Sequence, residues 1–190
     1  MKILKLVPGT TIEPINESGW DEFFRYANEQ RSENGTPPTG YFLPVSRAES
    51  CRPYDKEELF RSGLRIPVGS PNWRRAWVAR GSTRQILGHV DLRSHAVRFA
   101  EHRCLLGMGV DRHHRGVGLG SGLISHACAW AVTNSGLEWI DLEVLSANEP
   151  ALRLYLRNGF AKVADVPDMF RIDGMTFSVT TMTRRLEATS

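Results

Sequence analysis

Cysteine is scarce in this chain, with only Cys51, Cys104 and Cys128 among 190 residues. They are odd in number, widely spaced and in no C-x-x-C pair, which argues against a disulfide framework or a structural zinc site. The six histidines are dispersed apart from His113-His114 and show no H-E-x-x-H spacing, so no metal is expected. No window approaches the roughly 18 consecutive apolar residues of a membrane span. The apolar start is cut by Pro8-Gly9 and is too short for a signal peptide. Charge of one sign is also lacking. Lys and Arg number 24 against 21 Asp and Glu, a net +3 spread along the chain, which suits an anionic small molecule but is too weak to argue for nucleic acid. The expectation is a soluble, reduced, cytoplasmic protein with neither nucleic acid nor membrane among its partners. At 190 residues and 41% hydrophobic, the chain has the size and balance of one globular domain.

Within those bounds the order of elements is legible. Residues 11–16 read as a short strand. A helix follows to about Arg31, with Ser18 as candidate cap and Trp20, Phe23, Phe24 and Ala27 at helical spacing. Residues 32–55 read as a long loop rich in Gly and Pro, with aromatics Tyr41, Phe42 and Tyr54. Loops of that length in compact domains are commonly functional. Residues 56–61 suggest a short helix with Asp55 as cap, and 63–72 a second loop. Residues 73–80 and 85–93 alternate as strands about a Gly81-Ser82-Thr83 turn. Residues 103–110 are another strand. A helix runs from Leu119 to a stop at Gly136, and 137–145 is a strand with Trp139, Asp141 and Glu143 on one face. Asn148 caps a helix with Pro150 in its first turn and Asn158-Gly159 as its stop. Residues 160–164 and 176–184 close as strands. This is a mixed α/β single domain, residues 1–190, without repeats.

The strand at 103–110 meets the next helix through Asp111-Arg112-His113-His114-Arg115-Gly116-Val117-Gly118-Leu119-Gly120-Ser121. Glycines at alternate positions allow close backbone approach to a ligand and aim several N–H groups at one spot. The helix start adds free N–H groups and a positive dipole end, and Arg115 adds a full charge. Those are the parts of a pyrophosphate cradle. A P-loop is excluded because no Gly-Lys pair exists, and neither register of the glycines gives G-x-G-x-x-G. The plain alternative is a glycine-rich turn that binds nothing.

Arg115-Gly116-Val117-Gly118-Leu119-Gly120 resembles the acyl-CoA cradle of the GNAT superfamily of N-acetyltransferases, Arg/Gln-x-x-Gly-x-Gly/Ala. About 30 residues on, Leu142-Glu143-Val144 through Asn148, Leu154-Tyr155 and Gly159-Phe160 resembles that family's second signature. The likeness covers about residues 75–182; residues 1–74 match only as a generic strand–helix opening. It implies a mixed central sheet with flanking helices, whose two central parallel strands, 105–110 and 137–145, splay apart to admit acetyl-CoA. The acceptor would be bound by loops at about 32–74. Met108, Gly109 and Val110 would pair with pantetheine. Arg115, Gly116, Val117, Gly118, Leu119, Gly120 and Ser121 would hold the pyrophosphate, and Asn148 would contact the pantetheine arm.

The chemistry implied is acetyl transfer from acetyl-CoA directly to an amine. The leaving thiolate needs a proton, and Tyr155 occupies the family's general-acid position. Its alternative role is core packing. The amine must be neutral. The glutamate that some members carry eleven residues before the cradle's Arg falls here on Cys104, and Glu101 is three residues off. Glu143 matches the base of bacterial acetyltransferases that modify a ribosomal protein's N-terminal alanine; its alternative is a solvent-facing or ion-paired strand residue. His113 and His114 read as exposed loop residues or adenosine contacts. Aromatics Tyr41, Phe42, Tyr54 and Trp73 suggest apolar acceptor walls, or merely anchors of the loop. A small molecule or amino acid is the favoured acceptor. A protein N-terminus or lysine, and a non-catalytic acyl-CoA-binding module, are the alternatives. A homodimer is compatible with the resemblance.

Overall fold

A computed structural model describes residues 8–52, 56–134 and 136–187. Its strands are β1 (Thr11–Pro14), β2 (Arg74–Arg80), β3 (Ile86–Ser94), β4 (Arg103–Val110), β5 (Trp139–Leu145), β6 (Ala161–Ile172) and β7 (Met175–Arg185). Its helices are α1 (Trp20–Ser32), α2 (Arg47–Ser50), α3 (Glu57–Arg65), α4 (Leu119–Asn134) and α5 (Glu149–Arg157). The strands form one mixed sheet in the order β1-β2-β3-β4-β5-β7-β6, in which only β4 and β5 are parallel neighbours.

Alternation along the strands decides the two faces. Residues directly opposite in register share a face. One face carries Trp77, Ala79, Val90, Leu92, Cys104, Leu106, Ile140, Leu142 and Met182, which join the main core. It is packed by α4, whose Leu119, Leu123, Ile124, Ala127, Cys128 and Ala131 are buried at helical spacing, and it takes in Tyr155 of α5. Each fully buried Leu or Ile there stabilises by about 1.5–3 kcal/mol. The opposite face carries Ala76 and Val78, which bury Phe23 and Phe24 of α1 and Phe60 of α3 in a second cluster. Beyond that cluster the same face turns polar: His89, Asp91 and Arg93 on β3, Asp141 and Glu143 on β5.

Several expectations need correction. Ser18 does not cap α1; its hydroxyl bonds the Asn16 side chain at 2.9 Å and the cap residue is Gly19. The stretch 32–55 is not all loop. Ser46 and Glu49 form a reciprocal capping box, each side chain bonding the other's backbone N–H, and this defines α2. The helix placed at 56–61 runs on to Arg65; Asp55, its expected cap, lies outside the described residues. The strand expected to stop at Ala164 extends to Ile172 through a register shift around Pro167, which lacks a ladder donor. Among the described residues no helix is long and apolar enough to cross a membrane.

Candidate active site

The site begins where β4 and β5 part. They pair only at Arg103↔Trp139, Cys104↔Ile140 and Leu105↔Asp141. Further along, β4 is held by β3 and β5 by β7, so the strands diverge around a groove of about 1420 Å³. At the far end of β4, Asp111 N–H bonds Leu87 O on the β3 side at 2.9 Å. Backbone groups alternate sides along a strand, so Met108 and Val110 aim theirs into the gap while Gly109 aims its own at β3. The Gly109 carbonyl instead lies 3.4 Å from the Tyr26 hydroxyl. The glycines of β4 have a different purpose: a Cβ at Gly109 would stand 2.7 Å from His89 Cε1, and one at Gly107 would strike the Asp91 carboxylate and Arg93.

The loop after β4 is fixed by Asp111. Its Oδ1 accepts from His113 N–H at 2.9 Å and lies 2.8 Å from His114 Nδ1. Burial pushes this carboxyl up, but the bonds from His114 and His113 outweigh it and hold it below its ordinary value. Gly116 and Gly118 then adopt φ of +78° and +91°, which L side chains rarely adopt, and a Cβ on either would meet nothing within 4 Å. Both glycines line the groove. The first turn of α4 closes with Gly122 N–H to Gly118 O at 3.1 Å, so Leu119, Gly120 and Ser121 offer N–H groups with no intrahelical partner. Gly120 serves packing as well, because a Cβ there would come 2.9 Å from Leu154 on α5. Asn158, expected only as a helix stop, bonds Ser121 Oγ at 3.0 Å and ties the end of α5 to the start of α4. Arg115 donates to Val110 O at 3.0 Å and lies 3.6 Å from Glu33; Arg153 and Arg157 line the same end. An open, amide-lined loop flanked by guanidiniums fits a diphosphate.

Tyr155 and Glu143 both line the groove. Tyr155 packs edge-on against Phe160 at 5.7 Å, and burial pushes its hydroxyl up to about 12. Both roles weighed for it thus coexist: its ring is core, and among the described residues no hydrogen bond is recorded for its hydroxyl. Glu143 is exposed to the groove, and no ion pair is recorded for it among the described residues. The neighbouring carboxylates are engaged, Asp91 by Arg74 and Arg93, Asp141 by Arg103 and His95. Asn148 accepts from Ala151 N–H at 3.3 Å as the cap of α5, and it too lines the groove. Cys104 is enclosed on the core face, where burial pushes its thiol well up. Glu101 lies in the turn before β4, its carboxylate 3.3 Å from Phe99 N, and does not line the groove. The His114 ring lines the groove, whereas His113 accepts from Arg112 Nε at 3.0 Å outside it.

At the other end, Tyr41, Phe42 and Trp73 line the groove; Tyr54 lies outside the described residues. Tyr41 is both wall and anchor. Its ring stacks on Phe177 of β7 at 5.1 Å, and its hydroxyl donates to Asp173, in the β6–β7 turn, at 2.5 Å. Asp173 also accepts from Arg47 N–H at 2.7 Å. The loop is thereby strapped across to the last hairpin. Sequence reasoning had no signal for Asp173, a turn residue distant in the chain. The polar row His89, Asp91, Arg93 was readable as alternation with Val90 and Leu92, but not as a groove lining.

A splayed parallel pair, an amide-lined anion loop and an adjacent tyrosine hydroxyl define an acyl-CoA-using transferase architecture. Residues 41–160 match the Acetyltransferase (GNAT) family profile, so the chain belongs to the GNAT acetyltransferase family, which uses acetyl-CoA. No match was found among curated protein sequences. Similar solved structures include a GCN5-related N-acetyltransferase from Kribbella flavida, 21% identical over 94% of this chain and 98% of that one, TM-score 0.72. A GNAT-family acetyltransferase from Streptococcus pneumoniae is 19% identical over 94% and 99%, TM-score 0.75. A spermidine N-acetyltransferase from Vibrio cholerae, in complex with CoA and spermine, is 18% identical over 96% and 98%, TM-score 0.70. These likenesses bear on the fold. Among the described residues no group of three or more His, Cys, Asp or Glu could hold a metal ion.

Proposed function

We propose that this protein transfers the acetyl group of acetyl-CoA directly to the amine of a small molecule. The observation that carries this reading is the meeting, in one groove, of the glycine loop and first turn of α4 with Tyr155 and with Glu143, which has no ion-pair partner among the described residues. Acetyl-CoA supplies a thioester already activated toward amines, so no acyl-enzyme nucleophile is required. The chain's contribution is to bind the diphosphate at 115–121, to offer the Met108 backbone and the Val110 N–H to the pantetheine amides, and to manage two protons. Glu143 takes a proton from the acceptor's ammonium, directly or through water, and frees the neutral amine to attack the thioester carbonyl. Tyr155 gives its proton to the departing sulfur. A tyrosine raised to about 12 is a poor acid in water, but the same apolar surroundings raise a thiol too, and the difference between the two governs transfer.

The strap from Tyr41 to Asp173 favours a small acceptor over a protein tail, because it spans the acceptor end of the groove. The bound spermine of the Vibrio cholerae structure is in keeping with a small amine. We read the chain as one domain, since every described strand belongs to one sheet. A reducing, cytoplasmic setting is in keeping with the free thiols Cys51, Cys104 and Cys128. The test is thiol release from acetyl-CoA across a panel of amines, comparing wild type with Glu143→Gln. Turnover that requires an added amine, and that Glu143→Gln lowers about 100-fold or more near neutral pH, is the expected result. Thermal stabilisation by CoA with no turnover on any amine would mark a binding module and overturn the reading.

A further inference from the structure

On the β2–β3 side of the groove two guanidiniums share one carboxylate. Arg74 and Arg93 stand directly opposite each other in the β2–β3 register and so on the same face. Like charges in that arrangement repel unless an anion lies between them. Asp91 meets part of the need, its Oδ1 3.4 Å from Arg74 Nη1 and 3.2 Å from Arg93 Nη1. One carboxylate serves two guanidiniums. The next carboxylate, Asp141, is already matched by Arg103 at 2.5 Å and is further bonded by Thr183 and His95. Within the Arg74–Asp91–Arg93 cluster one positive charge is therefore uncompensated, and the nearest other carboxylate lining the groove, Glu143, stands two strands away.

The surplus sits where an acceptor must lie. Arg74 and Asp91 are 15% and 7% exposed, and Arg74 stacks over Phe60 at 4.4 Å, so their charges are shielded from water. Arg93 is 36% exposed and faces the groove; among the described residues its recorded polar partner is Asp91 alone, which leaves most of its five donors for a ligand. In register, Arg93 is level with Leu105, at the closed end of the V, and Leu105 is level with Asp141, two residues before Glu143. At a strand spacing of about 4.8 Å and a rise of about 3.3 Å per residue, the α-carbons of Arg93 and Glu143 are roughly 12 Å apart. Both side chains rise from the same face of the sheet, and β4 and β5 part beyond Leu105 and Asp141, so an amino acid can lie between their tips.

We propose that Arg93, backed by Arg74, binds a carboxylate of the acceptor, so that the preferred acceptors are α-amino acids and not polyamines. The proposal rests on the acetyltransferase reading above. Planar two-pronged recognition of carboxylate is what a guanidinium does best. It also fixes direction: with the carboxylate at the closed end of the V, the amine points toward Glu143 and the thioester. A polyamine would bring additional ammonium groups against Arg74 and Arg93.

The experiment measures acetyl-CoA thiol release with the full chain on the protein amino acids, their decarboxylated amines and spermidine. At least one amino acid should exceed both its decarboxylated counterpart and spermidine by tenfold or more in kcat/KM. Arg93→Gln should collapse that ratio toward one, chiefly through KM, while Arg93→Lys retains part of it. Calorimetry with CoA on each variant establishes that the fold and the cradle persist. If spermidine or carboxylate-free amines are the best acceptors, or if Arg93→Gln leaves the ratio unchanged, the carboxylate site is wrong and the acetyltransferase reading stands. Absence of turnover on every amine would remove both.

Discussion

The two halves of the groove are built on different principles. The half proposed to take CoA is built from backbone: Gly116 and Gly118 at positive φ and the first turn of α4 line it, and side chains contribute mainly flanking charge. The acceptor half is side chain: Arg74, Asp91, Arg93, Glu143 and Tyr41, brought together from four segments of the chain. A backbone site needs a particular local conformation, so its residue types are constrained at neighbouring positions. A side-chain site needs only that distant residues share a face. One therefore writes a motif into the sequence and the other does not.

The largest effect is expected where the halves meet. Removing the Tyr155 hydroxyl as Tyr155→Phe should lower kcat by about 100- to 10,000-fold, the usual range for a lost general acid, while CoA affinity by calorimetry stays within about threefold. Loss of both together would assign Tyr155 to the CoA half alone. Next in size is Gly118→Val. At φ +91° a β-branched residue must distort the loop, and losing one or two charge-assisted N–H bonds of about 1.5–3 kcal/mol each weakens CoA binding by about 100-fold. Gly120→Val separates the two jobs of the glycine run. Its Cβ meets the end of the Leu154 side chain at 2.9 Å and its φ needs no left-handed backbone, so it should perturb the α4–α5 packing and lower the melting temperature while weakening CoA binding less than Gly118→Val does.

That asymmetry also explains how much could be read in advance. β4, α4, β5 and α5 were legible almost to the residue, because Gly116, Gly118, Asn148, Asn158 and Gly159 each meet a local conformational demand. α2 was missed because four residues carry no periodicity; its only trace is the Ser46–Glu49 spacing. β6 runs on past Ala164 because Pro167 falls in an edge-strand irregularity that tolerates it. Arg93 and Asp91 were visible as one polar side of β3. Nothing local tells whether such a side meets solvent, a helix or a substrate; that depends on α1 stopping short of them and on β5 lying two strands away.

A third test concerns the wall between the halves. His89 is half-buried against the rings of Phe23 and Tyr26 at 5.5 and 5.6 Å, above Gly109. Burial pushes its imidazole down to about 4, with Arg74 adding to this and Asp91 opposing it. The folded value lies below the unfolded value of about 6.5, so the unfolded chain takes up the proton first as pH falls. The stabilisation is complete above pH 6.5 and is lost on acidification toward pH 4, amounting to about 3 kcal/mol at most. Urea midpoints at pH 7 and 4.5 should therefore differ more for wild type than for His89→Gln. Equal differences would mean that another group sets the acid limit.

The smallest effect belongs to the strap. Tyr41→Phe removes the hydroxyl that bonds Asp173 while leaving the ring on Phe177, and Asp173 keeps its bond from Arg47 N–H. Because the interaction is solvent-exposed, little change in stability follows. What should change is how well the loop is held over the acceptor. The acceptor KM should rise about two- to fivefold with CoA affinity unaltered, and Asp173→Ala, which frees Arg47 as well, should exceed it. An equal rise in the CoA dissociation constant would show that the strap braces the whole V, and the division into a backbone half and a side-chain half would then be too sharp.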